Sequence, residues 1–243
     1  LIPTPLSCFE SEDGSVDLTA SCGSEPYTYL WSNGDTTEDI SGLVAGLYSV
    51  IVTDGYGITL TDSVEVTQPD EVEVVITPDG PTEFCDGGSV ALSATPGFVT
   101  YLWSNGETGM TTTVSTDGLM VVTVTDSMGC EGRDEVYISV FPLPEVEIEI
   151  TDGQSPACDG ESIELTAISQ TATSYMWSTG ETTSVITVTT SGTYVVEVMN
   201  AEGCMNSDSI EIIVNPNPEV EIEVTDGSNP FCEGESATLT AQS

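Results

Sequence analysis

The sequence predicts an all-β fold, in which tandem immunoglobulin-like β-sandwich domains form an extended array. Two motifs, one around a tryptophan and one around a cysteine, recur along the chain at a nearly constant spacing. Between them, short segments alternate apolar and polar residues with the period of a β-strand, and turn residues separate the segments. No stretch shows a sustained helical period of apolar residues.

The tryptophan motif marks equivalent strands of successive repeats. It reads Tyr-Leu-Trp-Ser-Asn-Gly around Trp31 and Trp103, and Tyr-Met-Trp-Ser-Thr-Gly around Trp177, so the tryptophans lie 72 and 74 residues apart. Each tryptophan occupies an alternating strand, which predicts packing in a sandwich core. A sugar-stacking platform is the alternative. The Asn33-Gly34 pair predicts a tight hairpin after the strand, because both residues tolerate a positive φ.

Cysteine and proline motifs divide the chain into units. A Cys-acid-Gly motif begins at Cys85, Cys158 and Cys232, at spacings of 73 and 74 residues, and Pro-x-Pro segments at 142–144 and 216–218 separate successive units. We therefore predict units at 1–69, 70–143 and 144–217, and the start of a further, incomplete repeat at 218–243. Units of this length lie at the low end for independent folding, so crosslinks are expected.

The composition excludes several classes of function. The chain has 41 acidic residues against one basic residue, Arg133, which gives a formal net charge of −40, and it has no histidine. Such a surface repels nucleic acid and anionic membranes. Without histidine or lysine there is no Ser-His-Asp triad, no histidine-bound zinc and no Schiff base. No apolar run reaches the roughly 18 residues of a membrane span. We predict that the chain is not an enzyme and does not insert into a membrane.

Carboxylates at the unit boundaries permit two interpretations. The segments 145–150 and 219–224 alternate glutamate with valine or isoleucine, and each leads into Thr-Asp-Gly. The first interpretation is a calcium ion at the domain junction. The second is a solvated strand face that discourages pairing between sheet edges. Carboxylates on one strand face lie about 7 Å apart, too far for one ion without a contribution from a loop, so we favour the solvated face and predict no cofactor.

The cysteine spacing predicts disulfides. Cys85 and Cys130 are 45 residues apart, and Cys158 and Cys204 are 46 apart in the next unit, which predicts one bond within each unit. In the first unit Ile58 stands where the later units have Cys130 and Cys204. We therefore pair Cys8 with Cys22. Cys232 has no assigned partner. Disulfides imply an oxidising, extracellular compartment.

The first unit resembles the repeat named after the SprB gliding adhesin. Asp13-Gly14-Ser15, Pro26-Tyr27-Thr28-Tyr29, the Trp31 motif, Ala45-Gly46-Leu47-Tyr48 and Thr67-Gln68-Pro69 carry this resemblance. The later units resemble PKD-like and Ig-like repeats of large surface proteins of Bacteroidota. The resemblance implies type 9 secretion, location at the cell surface and a role in adhesion, gliding or a stalk. The family has Gly-Cys where this chain has Gly57-Ile58, which fits the pairing of Cys8 with Cys22.

The same resemblance implies O-glycosylation at Asp-Ser/Thr followed by an apolar residue or threonine. Four triplets match, with the acceptors Thr36, Ser63, Ser127 and Ser209. The last three are expected in equivalent loops that lead into the final strand of their units. Chance occurrence in a chain rich in serine, threonine and aspartate is the alternative.

Three functional hypotheses follow. The first is an extended stalk of a large adhesin or filament, in which each repeat contacts neighbouring repeats of the same chain, with other copies or surface glycans as further partners. The second is the subunit of a non-covalent extracellular filament, assembled by strand complementation. The third is an accessory, non-catalytic region of a secreted hydrolase.

Overall fold

The computed structural model describes residues 1–226, 233–234 and 236–242, and every regular element among them is a β-strand. None of these residues belongs to a helix that could cross a lipid bilayer. The all-β fold predicted from the sequence is confirmed. Cys232, and the glycine of the second Thr-Asp-Gly segment at position 227, lie outside the described residues.

The first sandwich contains six strands in two three-stranded sheets. One sheet has the order β1-β2-β4 and the other the order β3-β5-β6. The strands are β1 (Ile2–Thr4), β2 (Gly14–Asp17), β3 (Thr28–Trp31), β4 (Ile40–Leu43), β5 (Gly46–Thr53) and β6 (Thr59–Val66). Leu6, Val16, Trp31, Ile40 and Val50 are among the buried residues that fill the space between the sheets.

The second sandwich repeats this arrangement with seven strands. Its sheets have the orders β11-β9-β7 and β10-β12-β13-β8. The strands are β7 (Ile76–Pro78), β8 (Glu83–Cys85), β9 (Val90–Ala94), β10 (Thr100–Trp103), β11 (Thr111–Val114), β12 (Gly118–Thr125) and β13 (Glu131–Phe141). A separate core cluster includes Leu92, Trp103, Val122 and Ile138.

The third sandwich follows the same plan. Its two main sheets have the orders β14-β16-β18 and β17-β19-β20, and β15 pairs with β21 in parallel. The strands are β14 (Glu147–Asp152), β15 (Ala157–Cys158), β16 (Ile163–Ile168), β17 (Ser174–Trp177), β18 (Val185–Val188), β19 (Gly192–Met199), β20 (Met205–Ile212) and β21 (Val214–Asn215). After it, β22 (Glu221–Asp226) pairs with β23 (Thr238–Gln242).

The chain divides into two compact units, Leu1–Val140 and Phe141–Ser243. The first compact unit contains the first and second sandwiches with their two core clusters, and the second contains the third sandwich. Apolar residues that alternate with polar residues along the strands fill these cores, because one face of each strand is turned toward the opposite sheet.

Each tryptophan is buried in the core of its own sandwich. The indole Nε1 donates a hydrogen bond of 2.9 Å to the carbonyl oxygen six residues ahead, which belongs to Thr37, Gly109 or Thr183. This bond satisfies the only polar atom of the buried ring. The expectation of core packing is confirmed, because a ring enclosed between two sheets offers no face to a sugar.

The Asn33-Gly34 turn forms, but it does not join two paired strands. The backbone N–H of Gly34 donates to the carbonyl of Trp31, and β3 then pairs with β5. The chain after the turn crosses to β4 in the opposite sheet. The prediction of a hairpin was therefore wrong, since the local turn signal carries no information about the sheet that receives the next strand.

Two of the three glutamates of the segment 145–150, Glu147 and Glu149, lie on an edge strand. β14 is the first strand of its sheet, and Glu147 and Glu149 are exposed while Ile148 between them is buried. The described residues contain no group of three or more acidic, cysteine or histidine side chains that could hold a metal ion. Exposed charge along a sheet edge discourages pairing with another edge, which favours the solvated interpretation of this segment.

Candidate functional site

The most distinctive site in the first compact unit is a covalent bond between its two sandwiches. Cys8 and Cys130 form a disulfide with their Cα atoms 5.5 Å apart, although 122 residues separate them in the sequence. Cys8 follows β1 of the first sandwich, and Cys130 precedes β13 of the second. Consecutive sandwiches are thus joined twice, once by the polypeptide and once by the disulfide.

The loop that carries Cys8 is fixed by short-range hydrogen bonds. The carboxylate Oδ1 of Asp13 accepts bonds from the Ser7 backbone N–H at 3.0 Å and from the Ser11 hydroxyl at 2.6 Å. The backbone N–H of Glu10 donates to Oε1 of Gln68 at 3.0 Å, which ties the loop to the segment leaving the first sandwich. The disulfide and the linker therefore leave the same end of the first sandwich.

Cys130 occupies the last position of a five-residue connecting loop, which we call the Asx loop. Oδ1 of Asp126 accepts the backbone N–H groups of Met128 at 2.8 Å and Cys130 at 2.9 Å. Gly129 has a φ of 90°, a conformation that favours glycine. The Sγ atom of Cys130 is buried and lies 3.3 Å from the Ser7 carbonyl oxygen. The loop thus presents the sulfur to the preceding sandwich.

The linker between the sandwiches packs on the second sandwich at Gly132. A Cβ atom added to Gly132 would lie 2.2 Å from the carbonyl oxygen of Val72, closer than any non-bonded contact permits. Val72 also packs against the core cluster of the second sandwich. Glycine at this position allows the linker backbone to lie directly on the sheet.

Replacing Gly132 by alanine is expected to lower the free energy of unfolding of the first compact unit by about 1–3 kcal/mol, the usual cost of overpacking. The new methyl group would displace the Val72 backbone, which has no flexible atom to move away. Urea unfolding followed by circular dichroism measures the effect. Gly80→Ala in the same sandwich is the control, because a Cβ there meets nothing within 4 Å. Equal midpoints for both variants would contradict the prediction.

The observed bonding corrects the predicted cysteine pairing. Cys8 bonds to Cys130, so the predicted bonds Cys8–Cys22 and Cys85–Cys130 were wrong. Cys22 and Cys158 are free and exposed, so the predicted Cys158–Cys204 bond was wrong as well. Cys85 and Cys204 are each disulfide-bonded.

The length of the strands explains why the bonds do not form within a sandwich. Cys204 directly precedes β20, whereas Cys158 pairs with Asn215, eleven residues farther along the chain. At about 3.3 Å per residue the intervening strands span roughly 35 Å, and the Cα atoms of a disulfide lie within about 7 Å. Cys158 and Cys204 therefore lie at opposite ends of the third sandwich.

Cys8 and Cys22 also lie at opposite ends of their sandwich. The Leu6 backbone bonds to Thr67 after the end of β6, whereas Ser24, close to Cys22, bonds to Asp54 before the start of β6. Spacing in the sequence could not distinguish a bond within a repeat from a bond between one repeat and the next. Ile58 is the residue in the sequence that indicates a bond between repeats. It stands where the later repeats have a cysteine, so Cys8 has no cysteine at that position of its own repeat to bond with.

Asp13 is the group with the most perturbed acidity near the disulfide. The hydrogen bonds from Ser11 and Ser7 to its carboxylate lower its pKa from 3.8 to about 2. We expect Ser11→Ala to raise this pKa toward 3.8, because it removes the largest stabilising bond to the charged form. A carboxyl NMR titration measures the change, with Ser207→Ala in the third sandwich as the control.

The sign of the accompanying pH effect follows from the lowered pKa. The Asp13 contribution to stability is fully present above pH 3.8 and is lost as the pH falls through about 2. In Ser11→Ala this loss is expected to be smaller and to be complete at a higher pH, because the folded-state pKa lies closer to 3.8. An Asp13 pKa that does not change in the variant would contradict the role of Ser11.

The four candidate glycosylation acceptors are all exposed. Thr36 follows the Trp31 turn. Ser63 and Ser209 lie within strands β6 and β20, at equivalent positions opposite Ser49 and Val195, whereas Ser127 lies in the Asx loop. The expectation that the last three occupy equivalent loops was wrong. The position equivalent to Asp62 and Asp208 in the second sandwich is Asp134, opposite Val122.

Comparison with known families identifies the beginning of the chain. Residues 1–36 match the SprB repeat. This match covers the Cys8 loop, Cys22 and the Trp31 motif. The SprB repeat and the disulfides are features of a secreted surface protein, and modules of this kind are typically non-catalytic. A search of curated proteins finds no match to the chain.

Solved structures of several multidomain proteins match parts of this chain at low identity. Extracellular domains 3–5 of Drosophila OTK are 12% identical, with 86% of this chain and 93% of that chain covered and a TM-score of 0.34. The eight N-terminal Ig domains of Down Syndrome Cell Adhesion Molecule are 13% identical, with 92% and 37% covered and a TM-score of 0.33. Fibronectin(III)-like modules of Clostridium thermocellum CbhA are 16% identical, with 58% and 95% covered and a TM-score of 0.30. These similarities concern the fold alone.

Proposed function

We propose that this chain is a structural and adhesive repeat segment of a large secreted cell-surface protein, in which it acts as part of an extended stalk. The observation that carries the proposal is the Cys8–Cys130 disulfide. A second covalent connection between consecutive sandwiches removes the bending freedom that a single linker leaves. A stalk needs resistance to bending between its modules, whereas a tether of flexible modules does not.

Two further observations support this function. The SprB match and the disulfides agree with an oxidising, extracellular location. The net charge of −40 repels neighbouring stalks and keeps the segment hydrated, although salt limits this repulsion to about 8 Å at 0.15 M. Under this proposal the partners are neighbouring repeats of the same polypeptide, with surface glycans or other copies at the adhesive end.

The mass of the native polypeptide tests the proposal. On a reducing, denaturing gel we expect a chain of several hundred kilodaltons, detected with an antibody against residues 1–243. A species near 25.5 kDa would overturn the stalk and favour a filament of non-covalently assembled subunits. Rotary-shadowed electron micrographs with and without reductant test stiffness, because reduction should increase bending of the stalk.

We also propose that Thr36, Ser63, Ser127 and Ser209 carry O-linked glycans. Their exposure supports access by a glycosyltransferase. Chemical deglycosylation should lower the mass on the same gel, and peptide mass spectrometry should place the lost mass on these residues. No change in mass would remove all four sites. If the lost mass lies on other residues, the Asp-Ser/Thr triplets do not predict the glycosylation sites, and the proposal of a stalk is unaffected.

A further inference from the structure

The first sandwich has an Asx loop with the same geometry as the loop that carries Cys130. Oδ1 of Asp54 accepts the backbone N–H groups of Tyr56 and Ile58, each at 2.9 Å. The backbone N–H of Asp54 donates to the Ile58 carbonyl at 3.0 Å, and the corresponding bond from Asp126 to Cys130 measures 2.9 Å. Ile58 is therefore held in the position that Cys130 occupies in the second sandwich.

In the second sandwich this end is covered by the preceding sandwich and its linker. Cys130 is only 3% exposed and bonds to Cys8, and Val72 lies on Gly132, two residues farther along. The third sandwich is covered by its own incoming linker. There the side-chain amides of Asn200 and Asn206 donate to the carbonyl oxygens of Pro142 at 3.1 Å and Pro144 at 2.9 Å.

In the first sandwich the corresponding residues are open to solvent. Ile58 is 69% exposed, and Leu60, at the position of Gly132, is 73% exposed. They line a cleft of about 470 Å³ whose walls also include Leu18, Val52 and Cys22. Apolar side chains that converge on a cleft indicate a surface that another polypeptide covers.

The Asx loop of the first sandwich has no cysteine, but Cys22 lies in the wall of the same cleft. Cys22 is exposed and free, with a φ of 71°. The segment that carries it is fixed to the Asx loop, because the Ser24 N–H donates to Oδ2 of Asp54 at 3.2 Å and the Gly55 N–H donates to the Ser24 carbonyl at 2.6 Å. Asp54 thus holds Cys22 and Ile58 on one cleft.

We propose that this cleft is the docking site for a preceding repeat of the same polypeptide, and that Cys22 bonds to the cysteine loop of that repeat. The linker of the preceding repeat covers Leu60, as Val72 covers Gly132. Its cysteine bonds to Cys22, as Cys8 bonds to Cys130. The inference rests on the proposed function, because it requires that the segment belongs to an array of repeats.

Bond formation at Cys22 is a thiol–disulfide exchange. The Cys22 thiol and the thiol of the preceding repeat each lose a proton and one electron, and their sulfurs join. An external low-molecular-weight disulfide accepts the two electrons and both protons and leaves as two thiols. An oxidising extracellular medium supplies such a disulfide.

Disulfide mapping of the native protein tests the proposal. The protein is alkylated without reduction, digested with an acid-specific or non-specific protease, and the linked peptides are identified by mass spectrometry. We expect Cys22 in a peptide linked to a cysteine upstream of residue 1, and the Cys8–Cys130 linkage serves as the internal positive control. Alkylated, free Cys22 would overturn the proposal, as would a bond to a second copy or to any cysteine within residues 1–243.

A capture assay on the 243-residue chain tests the cleft itself. The probe is a synthetic peptide of residues 81–88, Pro-Thr-Glu-Phe-Cys-Asp-Gly-Gly, in a glutathione redox buffer. We expect its mixed disulfide with Cys22 to be at least tenfold more populated than that with Cys158, the other exposed free thiol among the residues that the structure describes. Ile58→Asp should remove this preference and leave capture at Cys158 unchanged. Equal capture at both thiols in the unmodified chain would overturn the docking site.

The two proposals fail in different ways. A native chain of several hundred kilodaltons with free Cys22 leaves the stalk intact and removes the docking inference. A native chain near 25.5 kDa removes both, because no preceding repeat then exists.

Discussion

Replacing Trp177 by alanine is expected to lower the free energy of unfolding of the third sandwich by about 3–5 kcal/mol. Trp177 is among the largest fully buried side chains and packs in a cluster with Leu165, Val196 and Ile212. Alanine leaves a cavity between two sheets, and the strands that line it cannot collapse without breaking their pairing. The hydrogen bond to the Thr183 carbonyl is lost as well.

Amide hydrogen exchange of β19, at the centre of its sheet, measures this loss without relying on tryptophan fluorescence. Met176→Ala is the matched control, because Met176 precedes Trp177 in the same strand and is 49% exposed. Trp177→Phe should cost less than alanine, since it keeps most of the buried volume but leaves the Thr183 carbonyl without its indole donor. Equal protection in the alanine variant and the control would show that the ring does not support the core.

The strands and cores followed from local patterns in the sequence. In the segment 163–167, for example, Ile163, Leu165 and Ala167 alternate with Glu164 and Thr166, and the three apolar residues are buried. This prediction succeeds because side chains of a strand alternate strictly between its two faces. Local patterns did not predict which sheet each strand joins, as the Asn33-Gly34 turn shows. The assignment of a strand to a sheet depends on contacts between residues that are far apart in the sequence.

The cysteines show the limit of spacing as evidence. Of the six cysteines predicted to form disulfides, Cys8, Cys85, Cys130 and Cys204 are bonded and Cys22 and Cys158 are free, and none of the predicted pairs formed. A repeat of constant length places equivalent cysteines at a constant spacing whether they bond within a repeat or between repeats. Only the length of the strands between them distinguishes the two. The open cleft around Ile58 had no sequence signal of its own, because isoleucine is an ordinary strand residue.

The expected placement of three candidate glycosylation sites in equivalent loops was wrong for a related reason. Ser63 and Ser127 both follow an aspartate near the start of a final strand, and the sequence alone made their surroundings look alike. Pairing in the structure places Asp62 opposite Val50, within the sheet, whereas Asp126 holds the Asx loop through two backbone bonds. A glycan on Ser127 would therefore stand next to the disulfide, and one on Ser63 would stand on the outside of a strand.

Removal of the Cys8–Cys130 disulfide is expected to destabilise the first compact unit by about 5 kcal/mol, the chain-entropy value for a loop of this length. The double variant Cys8→Ser, Cys130→Ser avoids new bonds of an unpaired thiol. The full value requires that the two sandwiches unfold together. If they unfold independently, the disulfide restricts only their relative motion, and the loss falls well below this value.

Urea unfolding monitored by hydrogen exchange in each sandwich distinguishes these cases. We expect the double variant to lower protection in β5 and β12 together, and to leave β19 of the third sandwich unchanged. Cys22→Ser is the matched control, because Cys22 is exposed and free. A loss confined to one sandwich would contradict coupled unfolding. A loss below about 1 kcal/mol in both would mean that the disulfide stiffens the junction without stabilising the folds it connects, which is still the property that a stalk requires.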